Sequence, residues 1–242
     1  IKTNIGEFYL AKDYFMASLD LSREIEDKEN TARALYNIGT VHIKLGDFRS
    51  ANEVLTQSLN ILKEIDFKRG EAFVYGGLGD LFMAENRLQE AESLYNNSTL
   101  LFAGLSKESE YLWSVLNVSR LNYEMGNTTD ALNSLIKIVE NPKSDLQDKM
   151  LASVYLGACK AKLGDVETGL AKMTTAVDSL SSLKYHAQTI EAHCIIAGVL
   201  LDLGSKDEAR RHLEEGQGMA EKSGMKGELR MYEDLMDRLK VK

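Results

Sequence analysis

The stretch Leu35-Tyr36-Asn37-Ile38-Gly39, followed by Gly46-Asp47 and then Ala51, decides the fold because the chain repeats it. Ile38-Gly39 returns as Leu78-Gly79, Val118-Ser119, Leu156-Gly157 and Ile196-Ala197, an apolar residue then a small one, at steps of 40, 40, 38 and 40. A second column of small residues runs through Ala11, Ala51, Ala91, Ala131, Gly169 and Ala209, and its step shortens at the same place. Between the two columns lie Gly6, Gly46, Asn86, Gly126, Gly164 and Gly204. Glycine and asparagine are the residues that accept the left-handed backbone at which helices end. Just after them, Asp47, Asn127, Asp165 and Ser205 can accept the free N–H groups of a new helix. A period in this range signals stacked copies of one supersecondary unit.

The unit reads as a helical hairpin. Ala51, Leu55, Ser58 and Leu59 in one copy, and Ala91, Tyr95, Ser98 and Leu101 in another, have the spacing of an apolar stripe on a helix. The small columns mark places where two backbones approach closely and a larger side chain would force them apart. The predicted class is all-α. A single proline, Pro142, in 242 residues agrees, since few breakers permit long helices. It lies in Asn141-Pro142-Lys143-Ser144-Asp145, where the period drops to 38.

Composition narrows the function. With 37 acidic against 29 basic residues the net charge is −8, which speaks against a nucleic-acid or anionic-membrane surface. The charge is uneven: residues 70–204 hold 17 acidic and 10 basic groups, and a solvated outer face is the preferred account. The most apolar stretch, Ala192 to Leu203, carries His193 and Asp202 and is too short to span a bilayer. Two cysteines, Cys159 and Cys194, form neither a disulfide framework nor a zinc pattern, which suits a reducing, cytoplasmic setting. No leader pattern opens the chain, and Ile1 reads as a cut within a longer protein.

Residues Leu35, Ile38-Gly39, His42, Ala51, Leu55 and Ser58 in one copy, and Tyr75, Leu78-Gly79, Phe82, Ala91, Tyr95 and Ser98 in the next, resemble the tetratricopeptide repeat. Later copies depart from its pattern, with Ser119 and Ala197 for the first glycine, Gly169 for the alanine and Ile138 at a small position. The usual period is about 34, so the step of 40 lengthens the helices. Glu24 to Ala32 and Glu64 to Ala72 are similar to the long-repeat subfamily of Partner-of-Inscuteable (LGN) scaffolds, kinesin light chains and bacterial signalling proteins.

The resemblance implies a right-handed superhelical solenoid of stacked helical hairpins. It divides the chain into the second half of a truncated repeat at 1–25, five full repeats at 26–225 and a capping helix at 226–242, with thirteen elements if a remnant helix occupies Ile1 to Ile5. It also implies a non-catalytic interaction module that holds a partner protein's peptide or helix in a concave groove. The alternative is a sensor domain binding a short signal peptide or its own output domain. Carried over position by position, the groove takes Arg33, Tyr36, Asn37, Thr40, Lys44, Phe73, Gly76 and Asp80, then Trp113, Asn117, Arg120, Tyr123, Glu124, Leu151, Tyr155 and Lys162. No copy carries the Lys/Asn clamp of chaperone-binding relatives, so an internal segment is the expected ligand.

No catalytic constellation emerges. Tyr75-Gly76-Gly77-Leu78-Gly79-Asp80 lacks the spacing and the Lys-Ser/Thr of a phosphate loop, and helix packing accounts for Gly79. Of the histidines His42, His186, His193 and His212, only His186 and His193 are close enough in sequence to share a helical face, and no third ligand completes them. No cofactor and no metal are expected. The glycosylation patterns at Asn96, Asn97, Asn117 and Asn127 fall mostly in packed helices and are read as structural.

Overall fold

The computed structural model describes residues 7–240. Among them the chain forms helices and no strand: α1 (Glu7–Glu24), α2 (Lys28–Leu45), α3 (Phe48–Glu64), α4 (Lys68–Ala84), α5 (Leu88–Gly104), α6 (Glu108–Glu124), α7 (Thr128–Glu140), α8 (Leu146–Lys162), α9 (Val166–Ser182), α10 (His186–Asp202), α11 (Lys206–Ser223) and α12 (Lys226–Lys240). The expected remnant at Ile1 to Ile5 and the turn residue Gly6 lie outside the described residues. Two compact units divide the chain inside α6, between Leu121 and Asn122.

Turn chemistry sets the helix ends. Gly46, Asn86, Gly126, Gly164 and Gly204 all have positive φ, as their types predict. In each of these turns the residue that follows donates its N–H to a carbonyl five residues back, as Asp47 does to His42 at 2.9 Å and Asn127 to Asn122 at 2.8 Å. That bond closes the last helical turn. A second left-handed column, at Glu26, Asp66, Ser106, Lys184 and Gly224, ends α1, α3, α5, α9 and α11, while α7 runs instead into the extended Asn141 before Pro142. Sequence type does not betray it, because four of the five are not glycine or asparagine. Among the expected caps, Asp47 accepts from Ser50 N–H at 3.2 Å, whereas Asn127 and Ser205 make no such side-chain bond.

In the unit through Leu121, the core is the predicted stripe. Ala51, Leu55 and Ser58 are fully buried, and Leu59 nearly so. A Cβ placed on Gly39 would come within 2.6 Å of Leu55, and one on Gly79 within 2.5 Å of Tyr95. Ala91, Tyr95 and Ser98 are also fully buried, but Phe102 takes the inward place expected of Leu101, which is only half-buried. The reason is one of helical phase: a residue seven positions after Tyr95 lies on its face. On α1 the inward Ala11 and Leu19 are buried while Leu10, Tyr14 and Leu21 stay exposed, as does Ile25 just after it.

The unit from Asn122 on follows the same plan more tightly. Gly157 of α8 faces Gly169 of α9, and a Cβ on either would stand 2.5 Å from the other's carbonyl oxygen. The glycine that replaces alanine at 169 thus permits direct backbone contact. Ser144, after Pro142, donates its hydroxyl to Ile138 O at 2.7 Å and closes the irregular connector.

Candidate functional site

The 40-residue period superposes equivalent positions of α2, α4 and α6, so each groove residue predicted in one helix has a counterpart in the next. In the first unit these counterparts meet. Trp113 of α6 lies with its ring centroid 5.5 Å from Phe73 of α4, one period away, and Tyr36 of α2 is 6.4 Å from Phe73. Phe102 of α5 stands edge-on to both, 4.9 Å from Phe73 and 6.1 Å from Trp113. Gly76 is needed beneath this group, since a Cβ there would strike the Trp113 ring. Tilted and edge-on aromatic contacts of this kind are favourable beyond the area they bury.

A polar ladder adjoins the rings. Arg120 Nη1 lies 3.5 Å from Asp80 Oδ1 and donates to Asn117 Oδ1 at 3.2 Å. The Tyr95 hydroxyl donates to the same Asp80 oxygen at 2.7 Å. Burial, and then the nearby Asp80 carboxylate, push the Tyr36 phenol above its ordinary pKa, so it stays a neutral donor. Asn117 Nδ2 is buried with no hydrogen-bond acceptor among the described residues. Arg69 pairs with Glu110 at 2.8 Å and sits over the Phe73 ring at 5.7 Å. Tyr95, Phe102, Arg69 and Glu110 were missed by sequence, as the first two belong to second helices and the others lie at helix starts.

The remaining expected residues divide by burial. Arg33 is exposed and paired with Glu29 at 2.7 Å. Asn37, Thr40 and Lys44 are half-buried, and the Thr40 hydroxyl donates to Asn37 O at 2.8 Å. In the second unit Glu124 and Lys162 are exposed. Tyr123, Leu151 and Tyr155, by contrast, are packing residues with 6%, 6% and 0% exposure. Tyr155 meets Tyr123 edge-on at 5.3 Å and donates its hydroxyl to buried Glu191 at 2.6 Å. Lys162 Nζ stands 3.8 Å above the Tyr123 ring, a cation–π contact. Carrying the repeat pattern into the second unit thus overstates how much aromatic surface is free there. Asn117 is likewise buried in the first unit.

The structure also corrects the histidine pairing. His193 of α10 meets His212 of α11 rather than His186, with 3.0 Å between their Nδ1 atoms. Glu215 Oε2 is 3.6 Å from His193 Nδ1. Burial lowers the pKa of both imidazoles, and for His193 the neighbouring His212 adds to the effect.

These features define a class, an all-α repeat protein made of paired helices with small residues at each crossing. Within that class the fold is that of the tetratricopeptide repeat, and residues 1–64 match that family. The chain is 29% identical over 119 residues to the Photosystem I assembly protein Ycf3 of Rippkaea orientalis (strain PCC 8801 / RF-1), across 49% of this chain and 61% of that protein. It therefore spans about three fifths of the curated relative it matches. Among solved structures it is similar to the apo form of RapI, with a TM-score of 0.72 and 18% identity over 89% of this chain and 78% of that one. It is also similar to NprR in complex with its cognate peptide NprX, with a TM-score of 0.67 and 15% identity over 97% and 73%. Among the described residues no helix is long and apolar enough to cross a membrane.

Proposed function

We infer that the chain is a non-catalytic, cytoplasmic protein-interaction module that binds an extended or helical segment of another protein along α2, α4 and α6. The observation that carries this reading is the joined surface of Tyr36, Phe73 and Trp113 with the Asp80, Arg120 and Asn117 ladder. Trp, Tyr and Arg dominate binding hot spots because they combine large contact area with directed polarity. The division into a half repeat at 1–25, five repeats at 26–225 and a closing helix at 226–242 belongs to the same reading. A sensor role, in which the occupant is a short signal peptide, is supported by the likeness to NprR, whose structure was solved in complex with its cognate peptide.

Phage-displayed random peptides selected on the chain test the proposal. Selected peptides are expected to lose about tenfold or more in affinity towards Arg120→Ala and Trp113→Ala variants that keep their helicity. Full-strength binding to both variants, or selected peptides that cross-link only to α3 and α5, would overturn it.

A further inference from the structure

Outside the groove, the last hairpin brings together three side chains with no part in peptide binding. His193 projects from α10, and His212 and Glu215 from α11, where a spacing of three residues puts them on one helical face. The ligand atoms of all three lie within 4.8 Å of one another. Gly216 makes the approach possible, since a Cβ on it would stand 2.9 Å from His193 Cβ.

We propose that His193, His212 and Glu215 form a binding site for a divalent cation of the zinc class, with three protein ligands and one position open to solvent. Zinc takes imidazole nitrogen and carboxylate oxygen at about 2.0–2.2 Å in a tetrahedron, so two of its ligand atoms stand roughly 3.3 Å apart. The observed separations of 3.0 Å and 3.6 Å bracket that distance. Imidazole and carboxylate donors together suit zinc and its neighbours better than magnesium or calcium, which prefer oxygen ligands throughout. Glu215 is largely exposed, at 65% of its side chain, which leaves the open position on the solvent side. The surroundings favour a cation: Asp178 of α9 and Glu208 of α11 add negative charge, against Arg211 alone among the groups acting on the pair. The rival account of the same geometry is a hydrogen bond in which one Nδ1–H donates to the other Nδ1. That arrangement needs no metal, and the two accounts part in solution. A bound cation would tie α10 to α11.

The test is a zinc titration of the full chain after treatment with a chelator, followed by calorimetry and thermal melting, with cobalt(II) absorption as a direct report of the ligands. One equivalent of zinc should bind and Tm should rise with zinc concentration, with visible cobalt bands of tetrahedral type. His212→Gln should abolish binding and Glu215→Gln should weaken it by about tenfold or more, while both melt like the parent without metal. His186→Gln should bind normally. Absence of zinc binding by the parent would overturn the proposal in favour of the hydrogen-bonded pair. Binding that survives unchanged in His212→Gln and Glu215→Gln would overturn it by placing the cation elsewhere.

Discussion

Arg120 Nη1 and Asp80 Oδ1 stand 3.5 Å apart although 40 residues separate them in sequence, and the Arg120 and Asp80 side chains are only 16% and 35% exposed. One repeat period therefore becomes one step between neighbouring first helices. The pair is sheltered enough that losing one partner strands a partly desolvated charge.

Asp80→Ala removes the acceptor of Tyr95 as well as the partner of Arg120. It should destabilise by about 2–3 kcal/mol in urea unfolding, and the double variant with Arg120→Ala should lose less than the sum by about 0.5–2 kcal/mol. Additive losses would show that the two side chains are independent.

The small columns make a packing prediction. Gly157→Ala drives a Cβ towards the Gly169 carbonyl, which is backbone and cannot turn away. The cost should be about 1–3 kcal/mol or more. Ala91→Glu, at a fully buried crossing of α4 and α5, should exceed it by adding an unpaired charge. Thermal melts within a degree or so of the parent would mean that the register is wrong.

Backbone conformation separates the two left-handed columns. Gly46→Ala should lower stability by about 1 kcal/mol, since φ is 76° there. Lys184→Gly, at φ 60°, should change it in the opposite direction by a similar amount. Matched changes of the same sign in both variants would count against strain at Lys184.

His42 supplies a pH dependence. Burial lowers its pKa, with Lys12 of α1 adding to the effect and Asp47, 3.1 Å away in the following turn, opposing it. The folded state then binds a proton less readily than the unfolded one, so stability is full above about pH 6.5 and falls as pH drops through that value towards the folded pKa. His42→Phe, which keeps a ring in the repeat's aromatic slot, should reduce the fall in Tm between about pH 7.5 and about pH 5. An unchanged profile would assign the acid sensitivity to other groups.

The repeat was legible because its constraints are local and recur. Gly46, Gly126, Gly164 and Gly204 meet a backbone demand that few other residues meet cheaply, and Ala51, Ala91 and Ala131 meet a steric one. Periodicity then carried helix order and core face, and placed Phe73 with Trp113 and Asp80 with Arg120 in matching columns. Burial was not legible in the same way. Tyr155 and Leu151 hold groove positions by number yet lie in the core, because exposure depends on how far neighbouring helices close over a site. The second left-handed column was hidden too, since Glu26, Ser106 and Lys184 are not types that favour that backbone, and the bonds that close these turns, as Asp27 N–H to Ser22 O at 2.8 Å, are made by the backbone of any residue. His193 and His212 show the same division. The sequence by itself determined that each lies on a helix of the last hairpin, since that follows from period and turn. Only the tertiary structure brought their Nδ1 atoms within 3.0 Å, because that distance depends on how closely α11 lies on α10, and at Gly216 the absence of a side chain leaves room for His193 of α10 and Tyr232 of α12.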